Sequence, residues 1–234
     1  EIPLRLVGSE MCIRDRNYIA HLDLKPPYLC LVASGGHSHI VEVLDYTKFH
    51  VVGRTRDDAA GECFDKCARA MGFPYPGGVH IDKASVSGNK DAYELPRPKV
   101  TGSEFDFSFS GLKTAVINLL HNSQQKGIEI NKNDLSAGIQ YTISDILCEK
   151  TMAAAEMLGY KTIAVAGGVS ANSGVRAAFE KACAERDMKL YLPPLNLCGD
   201  NGAMIACQGY YNYLDGQRGD ESLNAVATLS LEEI

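Results

Sequence analysis

Two glycine-rich turns, each directly after a short apolar strand, constrain this chain more than any other feature. The first reads ASGGHSH at 33–39 and follows the run 29–32, and the second reads AGGVSAN at 166–172 and follows 162–165. A glycine pair at a strand end lets backbone N–H groups approach a ligand closely, and such nests suit phosphate oxygens. The pair of turns therefore predicts a nucleotide held between two loops.

Composition indicates a globular chain without a membrane segment. The 234 residues carry a net charge of −6, which argues against a broad basic surface but leaves room for a local patch or a basic partner. No apolar run reaches the ~20 residues that span a bilayer, and the N-terminus has no secretory pattern, so we expect a cytoplasmic protein. The eight cysteines form no CxxC pair, which favours free thiols.

The first sixteen residues are interpreted as a non-native segment. Residues 7–16 read VGSEMCIRDR, which is similar to the translation of a transposase-type sequencing adapter. Genuine termini are often irregular, but they seldom spell a known adapter. We therefore expect the native sequence to begin near Asn17, with residues upstream of it missing.

Hydrophobic periodicity predicts an α/β protein with a mixed sheet covered by helices. Strands at 29–32, 40–44 and 50–53 are predicted to form an antiparallel meander, followed by a helix that opens at Asp57 and Asp58 and runs to Met71. Further helices are predicted at 80–87, 111–122 and 134–158. The remaining predictions are a strand at 162–166, a helix at 171–186, a strand at 189–192 and a helix at 201–212.

Several polar residues are candidates for chemistry, each beside a purely structural alternative. The acidic group Asp57, Asp58, Glu62 and Asp65 is either a capped, solvated helix face or part of a site. Gly61 costs a helix about 1 kcal/mol relative to alanine, so it suggests close approach by a ligand or another backbone. For this acidic group, the structural interpretation and the functional interpretation remain equally open.

Three other groups favour the structural alternative. Asp200 precedes an apolar helix and is either its N-cap, the interpretation preferred on local grounds, or a metal ligand or base. His37 and His39 share a strand face, but no third ligand lies near them in sequence. Cys63 and Cys67 are expected to be buried small side chains rather than ligands.

Five stretches together resemble one family in order and spacing. They are VASGGHSHIVEV, TRDDAAGECFDKCARAMGFPYPGG, RPKVTGSEFDFSFSGLKTAV, AGGVSANSGVRA and CGDNGAMIA. On these stretches the chain is similar to the tRNA N6-adenosine threonylcarbamoyltransferases (TsaD/Gcp). The combination of DDAAGECFDK, YPGG and DFSFSGLK is highly specific to that family.

The resemblance implies an actin/hexokinase-like (ribonuclease H-like) fold of two lobes, with residues 17–234 forming mostly the second lobe. It implies transfer of a threonylcarbamoyl group from threonylcarbamoyl-AMP to the N6 amine of the adenine next to the anticodon in tRNA. It also implies a divalent metal, Fe²⁺, bound by Asp200, and TsaB-like and TsaE-like partner subunits. By position, the residues implied to bind the adenylate are Val32, Ala33, Ser34, Gly35, Gly36, Asp65, Gly78, Asp82 and Asn172.

The chain also departs from the family pattern. The family's first acidic phosphate loop is absent, as is the His-x-x-x-His metal pair that should lie just before Asn17. His21 does not match that pair, and Asp200 alone cannot complete a metal site. We therefore expect this chain to be inactive and metal-free, although the resemblance implies that the natural protein is a transferase.

Alternatives from other classes remain. They are an ATPase or kinase of the same superfold, a carbamoyltransferase with a fused domain, and a non-catalytic scaffold in a tRNA-modification complex. A metalloprotease is disfavoured because the chain has no H-E-x-x-H motif.

Overall fold

A mixed five-stranded sheet forms the centre of the molecule in the computed structural model, which describes residues 17–199 and 201–218. The strands are β1 (Tyr28–Ala33), β2 (Ser38–Val43), β3 (Phe49–Arg54), β4 (Thr162–Ala166) and β5 (Lys189–Tyr191). Their order across the sheet is β3-β2-β1-β4-β5. The segment 1–16, interpreted above as non-native, lies outside the described residues.

The pairing divides the sheet into two halves that meet at β1. Strands β1, β2 and β3 form the predicted antiparallel meander, with Tyr28 opposite Val43. On its other edge β1 pairs in parallel with β4, where Leu29 lies opposite Ile163, and β4 pairs in parallel with β5. The carboxyl ends of β1 and β4 therefore lie side by side, and each leads into one of the two glycine-rich turns.

Helices cover the sheet, as the α/β prediction requires. They are α1 (Ala60–Ala70), α2 (Gly77–Ser85), α3 (Ser110–Gln125), α4 (Lys132–Leu158), α5 (Ser173–Glu185) and α6 (Gly202–Leu214). Residues 17–20 are also helical, and short 3₁₀ turns occupy Gly168–Ala171 and Leu195–Leu197. The fold class predicted from the sequence is confirmed.

Three helix starts differ from those expected, and in two of them an asparagine side chain caps the helix. Helix α1 begins at Ala60, after the two aspartates that were predicted to open it. Helix α4 is capped by Asn131, whose side chain accepts hydrogen bonds from Asn133 N and Asp134 N. Helix α6 is capped by Asn201, which accepts from Met204 N, so the N-cap role considered for Asp200 belongs to its neighbour.

Two hydrophobic clusters lie on opposite faces of the sheet. Leu29 and Leu31 of β1 point into the larger cluster, which includes residues of α1, α3, α4 and α5. Cys30 and Val32 point into the smaller one. Both faces of β1 are thus covered, which explains why its sequence is apolar throughout. Among the described residues, no helix combines the length and apolarity needed to cross a bilayer.

Candidate functional site: a cleft at the ends of β1 and β4

A cleft of about 470 Å³ opens where the two glycine-rich turns meet helices α1 and α2. Open α/β sheets bind ligands outside the carboxyl ends of their strands, and this cleft occupies that position for β1 and β4. Its lining includes five of the residues implied by the family resemblance. These are Gly35, Asp65, Gly78, Asp82 and Asn172.

The first glycine-rich turn is held from both sides. Ser34 closes it, because its N–H donates to His37 O at 2.8 Å and its Oγ accepts from His37 N at 3.1 Å. Behind it, Gly61 N donates to Ser34 O at 3.1 Å. A Cβ on Gly61 would lie 2.6 Å from that oxygen and 2.9 Å from Gly35 Cα. The close approach predicted at Gly61 is confirmed, and its partner is a backbone.

The second glycine-rich turn rests on the end of β1. Gly167 has a φ of +96°, and a Cβ there would overlap Ala33 O. Ser170 Oγ donates to Gly167 O at 2.6 Å and closes the turn. Gly168, by contrast, has no atom within 4 Å of an added Cβ, and it lines the cleft. One glycine of the pair thus serves packing, and the other leaves room for a ligand.

Asp65 links the first helix of the site to the second. Its Oδ1 accepts hydrogen bonds from Gly77 N at 2.7 Å and Gly78 N at 3.3 Å, which are the first N–H groups of α2. The carboxylate therefore replaces the missing side-chain cap of that helix. Its second oxygen, Oδ2, is the atom that a ligand in the cleft can use.

Asp82 makes the equivalent link to α5. Ser173 donates from its Oγ to Asp82 Oδ1 at 2.5 Å and from its N–H to the same oxygen at 3.2 Å. Behind Ser173 lies Gln140 of α4, whose Nε2 is 3.4 Å from Ser173 Oγ and whose Oε1 accepts from Ser85 Oγ at 2.7 Å. Sequence reasoning missed Gln140, because a glutamine inside a long helix gives no signal of its contacts.

Asn172 is the N-cap of α5, and half of its amide remains unused. Its Oδ1 accepts from Val175 N at 3.1 Å, while its Nδ2 is buried and has no hydrogen-bond partner among the residues that the structure describes. The residue lines the cleft and is only 8% exposed. A buried donor without an acceptor costs roughly 1–3 kcal/mol, so Nδ2 marks a place where a ligand oxygen would be favourable.

The other residues implied to bind the adenylate support the cleft from behind. Val32 and Ala33 are buried inside β1, and neither lines the cleft. Ser34 and Gly36 belong to the closed turn described above and are likewise absent from the lining. The apolar and aromatic lining comes instead from residues that were not predicted to bind the adenylate. They include Phe64, Tyr75, Val79, Val169 and Leu195.

The acidic pair that precedes α1 anchors the FDFSFSGLK motif. Asp57 accepts from Phe109 N at 2.8 Å and from the hydroxyls of Ser108 and Ser110, so it caps α3 rather than α1. Burial raises the pKa of Asp57, but these hydrogen bonds outweigh it and hold the pKa below its ordinary value. Asp57 is therefore a structural connection to α3 and not an open carboxylate, unlike Asp65 of the same acidic group, which lines the cleft.

Asp58 is bound on both sides by lysines. Lys66 Nζ lies 2.8 Å from Oδ1, and Lys113 Nζ lies 2.8 Å from Oδ2. Burial raises the pKa of Asp58, while Lys113 and then Lys66 lower it, and the net shift is downward. Lys113 in the first turn of α3 is unfavourable to the helix dipole, and Asp58 provides the anion that compensates it.

The described residues do not assemble a metal site. Within 17–199 and 201–218, no group of three histidine, cysteine, aspartate or glutamate side chains could hold a metal ion, and Asp200 lies outside these ranges. The His37 and His39 rings lie 5.7 Å apart. His21 Nε2 lies 2.8 Å from Leu192 O, in a backbone contact. These three histidines do not supply the ligand set that the iron implied by the family would need.

Solved structures with the same architecture share this chain's fold. One is full-length HypF in its phosphate- and nucleotide-bound form, with a TM-score of 0.63, 12% identity, and coverage of 88% of this chain and 35% of HypF. Another is the (R)-2-hydroxyglutaryl-CoA dehydratase component A of Acidaminococcus fermentans, with a TM-score of 0.52, 18% identity, and coverage of 88% and 68%. The fold and the position of the cleft define a lobe of the actin/hexokinase-like class.

Sequence comparison identifies the family, whereas the structural neighbours show only the fold. The family model for tRNA N6-adenosine threonylcarbamoyltransferase (TsaD) matches residues 2–207. The chain belongs to this family. The enzyme of that name from Clostridioides difficile strain 630 is 47% identical over 217 residues, and that from Clostridium botulinum strain Hall is 48% identical. Each alignment covers 93% of this chain and 64% of the relative, so the chain spans less than two thirds of their length.

Proposed function

We propose that the protein of which this chain is part transfers a threonylcarbamoyl group from threonylcarbamoyl-AMP to the N6 amine of the adenine next to the anticodon in tRNA. Family membership supports the reaction class. The observation that carries the proposal in this chain is the unpartnered Nδ2 of Asn172, buried at the wall of a cleft between two glycine-rich turns. That arrangement suits the phosphate of an adenylate.

Within this proposal, each wall of the cleft has a separate task. Gly35 and Gly168 let the phosphate approach the backbone, and Asn172 Nδ2 donates to a phosphate oxygen. Asp65 Oδ2 accepts from a ribose hydroxyl, because Oδ1 is already engaged with α2. Val79 and Leu195 give the adenine apolar contact.

The chemistry is an acyl transfer from a mixed anhydride. The N6 amine attacks the carbamoyl carbon, a C–N bond forms, the C–O bond to the phosphate breaks, and AMP leaves as the amine loses a proton. A donor on the phosphate stabilises the charge that develops on the leaving group. Asn172 is therefore expected to assist both binding and departure of the adenylate.

The wider setting belongs to the same proposal. The substrate is tRNA, the metal is Fe²⁺ held by Asp200 together with residues beyond those described, and the partners are TsaB-like and TsaE-like subunits. The site of action is the cytoplasm, where tRNA is modified. The family resemblance supports each of these assignments.

The test is AMP binding to this chain and to two matched cap variants. Asn172→Asp keeps the capping oxygen, since aspartate caps a helix as well as asparagine, but it removes the donor. We expect AMP to bind about 10- to 100-fold more weakly, the range for a hydrogen bond to a charged group. Asn131→Asp makes the same change at the exposed N-cap of α4, away from the cleft, and should leave AMP binding unchanged.

Each outcome has a defined meaning. Unchanged AMP affinity in Asn172→Asp would remove Asn172 from the site. An unmodified chain that binds no AMP at all would contradict a nucleotide role for this cleft. Release of phosphate from ATP in the same preparation would instead favour the ATPase or kinase alternative.

A further inference from the structure

One wall of the cleft comes from a segment that precedes the family motif CGDNGAMIA and shares only Cys198 with it. Residues 193–198 follow β5 and contain the 3₁₀ turn Leu195–Leu197. Leu195 lines the cleft beside Gly168 and Asn172, and it is 65% exposed in the absence of a ligand. An exposed leucine at a binding cleft is an apolar surface available to a ligand.

Both ends of this wall segment are held by one guanidinium. Arg176 lies in the first turns of α5, and its Nη2 donates to Pro193 O. The same nitrogen lies 3.6 Å from Cys198 Sγ, at the other end of the segment. Cys198 Sγ is in turn 3.3 Å from Ser170 Oγ in the second glycine-rich turn. Arg176 and Cys198 thus connect the wall segment to the turn that faces the ligand.

The arrangement is not the one that stability alone favours. Arg176 Nε is buried and has no hydrogen-bond partner within residues 17–199 and 201–218, and a buried unpaired donor is destabilising. Methionine has a side chain of similar reach and would remove that unpaired donor. A role in holding the wall segment, rather than in stabilising the fold, accounts for an arginine at this position.

We propose that Arg176 is a positioning residue that holds Leu195 against the base of a bound adenylate. This inference rests on the proposed function of the cleft and adds a determinant of base recognition. Arg176 itself does not line the cleft. It acts through Leu195, so its loss should affect recognition of the base and leave recognition of the ribose and phosphate intact.

The test compares two ligands that differ only in the base. Dissociation constants for AMP and for ribose 5-phosphate are measured by amide chemical-shift titration of the chain and of Arg176→Met, Leu195→Ala and the double variant. We expect each single variant to weaken AMP binding about fivefold or more and to change ribose 5-phosphate binding less than twofold. The double variant should bind AMP as Leu195→Ala does, because both changes remove one interaction.

A conservative variant provides the rescue arm. Arg176→Lys keeps one donor for Pro193 O but cannot reach both ends of the wall segment at once, so AMP affinity should fall between those of the unmodified chain and Arg176→Met. If Arg176→Met does not fold, Arg176→Lys takes its place in the comparison of AMP with ribose 5-phosphate.

Three results would overturn the inference. They are equal weakening for both ligands, additive losses in the double variant, and unchanged AMP affinity in Arg176→Met. Either of the first two results would show that Arg176 has a general structural role. The third would show that Arg176 has no role in binding AMP. If the unmodified chain binds AMP but these results are obtained, the proposed function stands and only this inference fails. If it binds no AMP, both fail.

Discussion

At the scale of single residues, the glycines of the site divide into those that pack and those that leave space. Gly61 and Gly167 press against the backbone at the end of β1, whereas Gly35 and Gly168 have no atom within 4 Å of an added Cβ. All four appear in the sequence as glycine at a turn or in a helix. Only their neighbours in space distinguish the two roles.

We expect Gly61→Ala to destabilise the protein by about 2–3 kcal/mol, because its Cβ would displace the backbone at Ser34 and Gly35. The measurement is the free energy of unfolding by urea titration. Gly209→Ala is the matched control, since it lies inside α6 with no atom within 4 Å of its Cβ. It should be neutral or stabilise by up to about 1 kcal/mol through helix propensity. Similar losses in both variants would argue against the packing explanation.

Gly168→Ala should show the opposite pattern to Gly61→Ala. Its Cβ meets no atom within 4 Å, so the free energy of unfolding should change little, but the added methyl group occupies space in the cleft. We expect AMP binding to weaken about tenfold or more while the urea midpoint stays within error. A variant that loses stability and binding together would indicate that the turn itself has changed.

Five residues that the family resemblance implied share one cleft, and their binding of an adenylate stays a prediction. Gly35, Asp65, Gly78, Asp82 and Asn172 do meet in one cleft. The roles of their polar atoms were not predictable, because a carboxylate that caps another helix has the same sequence as a free one. Gln140 and Arg176 were missed for a related reason, since their partners lie on other elements of the fold.

At the scale of elements, the connection between the segment before α1 and the segment before α3 is the clearest feature. Before α1, Asp57 accepts from Phe109 N and Asp58 pairs with Lys113 of α3. Before α3, Asp106 accepts from the N–H of Arg54 at the end of β3. The strands of the meander were predicted to within two residues at each end, because a short β-rich run bounded by turn residues is a local signal. The start of α1 was predicted wrongly, since the aspartates that resemble its cap serve a helix some fifty residues away in sequence.

This connection should weaken in acid. The pKa values of Asp57, Asp58 and Asp106 are all lowered in the folded protein. A lowered carboxyl pKa contributes stability that is present above the ordinary value of about 3.9 and is lost as the pH falls through the folded value. We therefore expect the free energy of unfolding to fall below about pH 4.

Asp57→Asn tests the origin of that loss. The substitution should lower the free energy of unfolding by about 1 kcal/mol at pH 7, the scale of a helix cap. The difference in free energy of unfolding between the variant and the unmodified chain should shrink toward pH 2. Glu129→Gln changes an exposed carboxylate in the connection before α4 and should leave the pH profile unchanged. If the free energy of unfolding of Asp57→Asn ran parallel to that of the unmodified chain at every pH, the loss of stability in acid would not come from Asp57.

At the scale of the whole molecule, we expect ligand binding in the cleft to be coupled to folding. A ligand that binds only the folded chain raises the free energy of unfolding by about 2.7 kcal/mol at one hundred times its dissociation constant. We expect AMP at that concentration to raise the thermal midpoint by several degrees. Asn172→Asp at the same AMP concentration should show a much smaller rise, and Asn131→Asp should match the unmodified chain.

The parallel contact between β1 and β4 has a consequence for how the chain is made. The two strands lie more than half the chain apart in sequence, yet their adjacent ends carry the two turns of the cleft. Contacts of such high sequence separation form late, because a long loop must close before they are gained. During synthesis the first turn leaves the ribosome well before its counterpart exists. The proposed adenylate site is therefore incomplete until β4 has joined the sheet, and we expect a chain that ends before β4 to bind no AMP.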